Sequence, residues 1–174
     1  MAHDAGDDGA IALDSPMGRV VIATTVLGSS VVMLIATVVN VALPAIAADL
    51  GASSASQTWI VNGYLLMVSS LILVAGTLGD RFGQVRVFRI GVAWFAIASL
   101  ACALAPTTGA LIAFRLLQGV GGALLTPGSL AIIQSLLQRR DRGRAVGMWS
   151  GLGGIAGAIG PLIGGALVDL SWRW

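Results

Sequence analysis

Apolar residues in this chain come in long unbroken blocks separated by short polar junctions, not in the alternation of a half-buried strand. Five blocks, at about 20–46, 58–78, 88–106, 109–136 and 145–168, carry few or no charges. A hydrocarbon core of about 30 Å takes roughly 20 apolar residues per helix, and each block meets that length. A segment in lipid must satisfy its own backbone hydrogen bonds, so each block is predicted to be a helix. The predicted fold class is an all-α membrane protein of about five transmembrane helices.

The junctions alternate in charge. GASSASQT around residues 51–58 and APTTG around 105–109 contain no arginine, whereas DRFGQVRVFR and QRRDRGR are dense with it. Basic loops stay in the cytoplasm. Arg19, Arg81, Arg86, Arg89, Arg139, Arg140, Arg142 and Arg144 then fall on the cytoplasmic side, Arg173 falls on the other, and Arg115 lies inside a span. The expected protein is multi-pass in the cell membrane with a cytoplasmic amino terminus.

Composition agrees, with 56% hydrophobic and only 10% charged residues, where an ordinary soluble domain has about a quarter charged. The formal charge of +2 says little about partners, because all ten basic residues are arginines whose positions follow topology. The lipid bilayer is the expected partner and no nucleic acid is. The first residues hold Asp4, Asp7, Asp8 and Asp14 without a basic leader, so no cleaved signal peptide is expected. Residues 1–18 are expected to be a disordered cytoplasmic tail and residues 19–174 a helical bundle. Cys102 can form no intrachain disulfide, and His3 alone cannot build a metal site. No cofactor or metal is expected.

The fifth block, GMWSGLGGIAGAIGPLIGG at 147–165, would be a poor helix in water. In lipid its glycines become an asset. Gly153, Gly157, Gly160 and Gly164 follow i, i+4, i+7, i+11 and line one face, where small residues let another backbone approach closely. Pro161 sets a local bend.

Arg115 is the sharpest polar feature. An arginine at a helix centre costs about 2.5 to 3.5 kcal/mol on insertion scales, so something must offset it. Gln118, Gly119, Gly122 and Thr126 share its face, which is expected to look into the bundle or a water-filled cavity. The alternative is that Arg115 snorkels to the outer headgroups. GTLGDRFGQVR, at residues 76–86, reads as a cytoplasmic turn in which Gly79 and Gly83 permit tight geometry. Asp80 is expected to accept backbone N–H bonds or sit at a helix N-terminus, with Arg81 and Arg86 reaching carboxylates or anionic lipid. Thr37, Asn40, Asn62 and Tyr64 are candidates for lining a substrate cavity; bridging between helices is the other role for such groups.

Together these motifs resemble the major facilitator superfamily, and within it the fourteen-helix drug–proton antiporters. GTLGDRFGQVR resembles the family's loop between helices 2 and 3, with Gly76, Asp80, Arg81 and Gly83 in place. RLLQGVGGA, with Arg115, Gln118, Gly119 and Gly121, resembles the fourth-helix motif associated with proton coupling. The glycine-proline segment, including Gly147, Gly160, Pro161, Gly164 and Gly165, is similar to the antiporter signature of helix 5, and TVVNVALP at 37–44 to a first-helix motif. Departures accompany the matches. Ile35 stands where the first-helix motif usually has aspartate, Gln84 and Val85 replace a basic pair, and Ala156 replaces glycine.

The resemblance implies the incomplete N-terminal half of a two-half helical fold around a central cavity. It also implies proton-coupled efflux of drugs or other amphipathic small molecules, with protons and such a substrate as partners. Arg115 and Gln118 would serve proton coupling; Gly76, Asp80, Arg81, Gly83 and Arg86 would form a cytoplasmic gating loop. Alternatives are an uptake carrier of the same superfamily, or a non-transporting membrane subunit or regulator. Five helices cannot close such a cavity, so missing C-terminal helices or a second chain are expected partners, and the 174-residue chain alone is not expected to transport. An enzyme is disfavoured, since no Ser/His/Asp, Cys/His or carboxylate-pair constellation lies in or beside the blocks. Gly151, Gly153 and Ala156 match a dinucleotide-binding pattern in spacing, but no strand precedes them.

Overall fold

The computed structural model describes residues 10–168 and 170–173, and its elements are five helices: α1 (Pro16–Leu50), α2 (Ser54–Phe82), α3 (Gln84–Ala103), α4 (Thr108–Leu136) and α5 (Arg139–Val168). All five are long and apolar enough to cross a membrane. Most helices outrun the apolar blocks because their ends are set by caps in the polar junctions, where hydropathy carries no signal. Ser15 accepts from Gly18 N at 3.0 Å to start α1, with Pro16 at the first helical position. Ser53 accepts from Ser56 N at 3.2 Å to start α2, and Thr107 accepts from Ala110 N at 3.2 Å to start α4. Gly51, with φ of 62°, ends α1 in the left-handed conformation that glycine adopts without penalty.

The supposed loop at 76–86 is almost entirely helical. α2 runs through Phe82 and α3 begins at Gln84, so Gly83 alone makes the turn, at φ 92°. Its N–H bonds Gly79 O at 2.9 Å while its own carbonyl accepts from Val87 N at 3.1 Å. One residue that tolerates positive φ replaces a whole loop.

Helix α4 is the most buried span and lies between α2 and α3. Glycines permit this. A Cβ on Gly121 would stand 2.9 Å from the backbone nitrogen of Phe95 in α3, and one on Gly119 would stand 2.7 Å from the carbonyl oxygen of Tyr64 in α2. Trp94 Nε1 adds a bond to Leu117 O at 2.8 Å. Helix α1 pairs with α5. There Gly164 packs on Val38, Gly160 packs on Thr37, and Trp149 Nε1 donates to Ser29 Oγ at 3.0 Å.

Residues 10–18 depart from the expected disordered tail; residues 1–9 of that expectation lie outside the described residues. Ile11 N donates to Leu136 O at 2.8 Å and Ile11 O accepts from Gln138 N at 3.1 Å, a one-pair parallel bridge onto the junction between α4 and α5. Leu13 N donates to Asp141 Oδ2 at 2.9 Å, and the Leu13 side chain is buried beside Leu137. Gln138 Nε2 also donates to Ala10 O at 3.4 Å, and these long-range bonds with the buried Leu13 order this strap, which a reading of local charge could not foresee.

Candidate functional site

Arg115 sits on α4 where that helix meets α2 and α3, and is 2% exposed. It does not snorkel. Nε donates to the carbonyl oxygen of Ile60 on α2 at 3.1 Å, and the guanidinium carbon lies 4.4 Å from the centroid of the Tyr64 ring. Nη1 donates to Gln118 Oε1, one turn further along α4. Gln118 Nε2 then donates to Ser99 Oγ on α3 at 2.7 Å, and Ser99 Oγ donates to Phe95 O at 2.8 Å. A buried guanidinium thus ties three helices together through neutral dipoles and an aromatic face. Among the described residues no carboxylate lies within salt-bridge distance of it.

Beside this network is a cavity of about 150 Å³, walled in part by Arg115, Gln118, Ser99, Ile35, Trp172 and Arg173. Gly119 and Gly122 share the Arg115 face but pack on Tyr64 instead of opening to the cavity, and Thr126 Oγ1 bonds Gly122 O. The four candidate cavity-lining residues are not among its described walls. Tyr64 is buried between α2 and α4 with its hydroxyl unpartnered. Thr37 bonds Leu34 O at 2.9 Å and faces Gly160, in the helix-bridging position. Asn40 bonds Ala36 O at 2.9 Å on an exposed face, and Asn62 is exposed.

At the α2–α3 junction, Asp80 accepts from the Gln84 side chain at 2.8 Å and not from backbone N–H groups. Gln84, which replaces a basic residue of the motif, lies over the Cβ position of Gly79 and fills that hollow. Gly76 meets open space, and Arg81 lies 5.4 Å over its neighbour Phe82. Arg86 and Arg89 line a groove of about 1140 Å³ with Asp80, Gly83 and Ser135.

The glycine face of α5 is realised only in its C-terminal half. Gly160 and Gly164 contact α1, whereas Gly153 and Gly157, with Gly147 and Gly165, have open space where a Cβ would be. An apolar groove between α1 and α5 includes Ile22, Val26, Met148 and Leu152. Sequence reasoning missed Ser99, the Ile60 carbonyl and the clasp around Arg173. In that clasp Arg173 binds Asp49 at 3.1 Å and the carbonyls of Ala103 and Ala105 at 3.1 and 3.0 Å, while Trp172 Nε1 donates to Asp49 at 2.9 Å. A buried arginine demanding neutral acceptors was the one signal that pointed to the first two.

Known proteins share both the sequence and the bundle. The tetracenomycin C resistance and export protein of Streptomyces glaucescens is 43% identical over 148 residues, which is 84% of this chain and 28% of that protein. A methylenomycin A resistance protein of Bacillus subtilis is 42% identical over 161 residues, 91% of this chain and 34% of that protein. A crystal structure of a bacterial homologue of the human lysosomal transporter Spinster, inward-facing and occupied, superposes with a TM-score of 0.79 at 25% identity, over 90% of this chain and 34% of that one. The chain therefore spans about a quarter to a third of the length of the relatives it matches. The family model described as Major Facilitator Superfamily matches residues 25–174, which take in most of α1 and all of α2 to α5, and the chain belongs to that superfamily.

Proposed function

We propose that this chain is part of a proton-coupled exporter of amphipathic small molecules, seated in the cell membrane with its amino terminus and arginine-rich junctions in the cytoplasm. The observation that carries the reading is Arg115: a charge held at 2% exposure inside a spanning helix, with Gln118 as its relay to Ser99. Such a group is expensive to bury and marks ion or substrate pathways. Export is favoured over uptake by the relatives, which are named for resistance and export. Asp80, Arg81, Gly83 and Arg86 would serve as the cytoplasmic gate, since one glycine couples α2 rigidly to α3 there. The α5 glycines with open space would meet helices supplied by the rest of the transporter.

The test is Arg115→Ala in a full-length transporter carrying this sequence. Gradient-driven efflux from everted vesicles is expected to fall to background at unchanged expression, and undiminished efflux would remove Arg115 from coupling. A second arm uses liposomes containing the 174-residue chain alone, in which no gradient-dependent movement is expected.

A further inference from the structure

The network around Arg115 is built entirely of neutral partners, yet its charge is whole. Ile60 O, Gln118 Oε1 and the Tyr64 ring satisfy one side of the guanidinium, while Arg115 also forms part of the wall of the 150 Å³ cavity. Nη2 donates to no group among the described residues. The cavity's described walls include a second guanidinium, Arg173, and no carboxylate. Asp49, the carboxylate of the clasp, is engaged by Arg173 and Trp172 and is not among those walls. Across the cavity, α1 contributes Ile35, the residue standing where the first-helix motif usually has aspartate, with Val38, Val39 and Ala42. Where a carboxylate at position 35 would face Arg115 across the cavity, this chain offers hydrocarbon.

Low dielectric makes an unneutralised buried cation a strong anion attractor, because little water screens it. Gln118 and Ser99 supply side-chain polar groups in the same wall, and the volume accommodates a carboxylate group or a halide with a water or two. We infer that the cavity is an anion site, and that its occupant in transport is the carboxylate of an amphipathic organic acid. The cargo then brings the negative charge that α1 lacks at position 35. The identity of the anion as cargo rests on the exporter reading; the binding itself does not.

The experiment uses the 174-residue chain in nanodiscs of zwitterionic lipid and reads the linewidth of chloride NMR. The wild-type chain is expected to broaden the chloride signal above empty nanodiscs, and acetate is expected to narrow it back. Ile35→Asp, which supplies an internal carboxylate, is expected to abolish the broadening, as is Arg115→Gln. Ile35→Asn, equal in size and polarity but uncharged, is expected to retain it, as is Arg140→Gln on the cytoplasmic junction. Absence of broadening in the wild type overturns the site, and so does broadening that survives Ile35→Asp or disappears equally in Ile35→Asn. Displacement by bromide but not by acetate overturns the carboxylate class. Because this readout needs no transport, a chain that binds chloride while Arg115→Ala leaves efflux untouched would sink the coupling role and keep the anion site.

Discussion

Tyr64 shows how one side chain can be buried for its face and not its polar end. Its ring carries Arg115, yet its hydroxyl is buried without a partner against Gly122. An unpaired buried hydroxyl costs free energy, so removing it is neutral or favourable, while removing the ring exposes the cation to aliphatic surroundings. Tyr64→Phe is expected to leave the thermal stability of the detergent-solubilised chain unchanged or slightly higher. Tyr64→Leu is expected to lower it by about 2 kcal/mol, the scale of a desolvated cation–π contact. A larger loss for phenylalanine than for leucine would mean that the hydroxyl, not the ring, holds the site. Arg115 itself was legible in the sequence as a lone charge in an apolar block, but its partners were not. Ile60 lies 55 residues away and contributes a backbone oxygen, which no side-chain motif records.

Among the helices, hydropathy located all five spans because each apolar block is longer than any soluble strand or short core helix. It could not locate their ends, where Ser15, Ser53 and Thr107 cap helices in polar sequence. Nor could spacing tell which α5 glycines touch a partner, since Gly157 and Gly160 share a face but only the second meets α1. The difference is which part of α5 lies against α1, a tertiary property. Gly160→Leu is therefore expected to break the α1–α5 pairing, read as a shift in the resonance of the Trp149 indole N–H, which in the native pairing donates to Ser29 Oγ. Gly157→Ala is expected to preserve it. Gly83→Ala is expected to cost about 1 kcal/mol or more in unfolding stability, because φ of 92° is strained for any residue with a Cβ.

Across the whole molecule, the strap at residues 10–15 joins the amino end of α1 to the junction between α4 and α5. The Arg144–Asp14 pair beside it is well exposed and contributes little, so the buried Leu13 and the Asp141 bond hold it. Asp141→Asn is expected to speed hydrogen exchange at the Leu13 amide while leaving amides within α4 protected; equal acceleration in α4 would mean the strap is integral to the bundle. The Leu13–Asp141 bond links residues 128 apart in sequence. That separation has a consequence in time. During synthesis the strap has nothing to bind until α4 and the start of α5 have been made, so residues 10–15 wait unpaired while the spans insert. Protease sensitivity at the amino end of nascent chains should persist through the first three spans and vanish only when the residues around Asp141 emerge, making closure of the strap a clock for assembly.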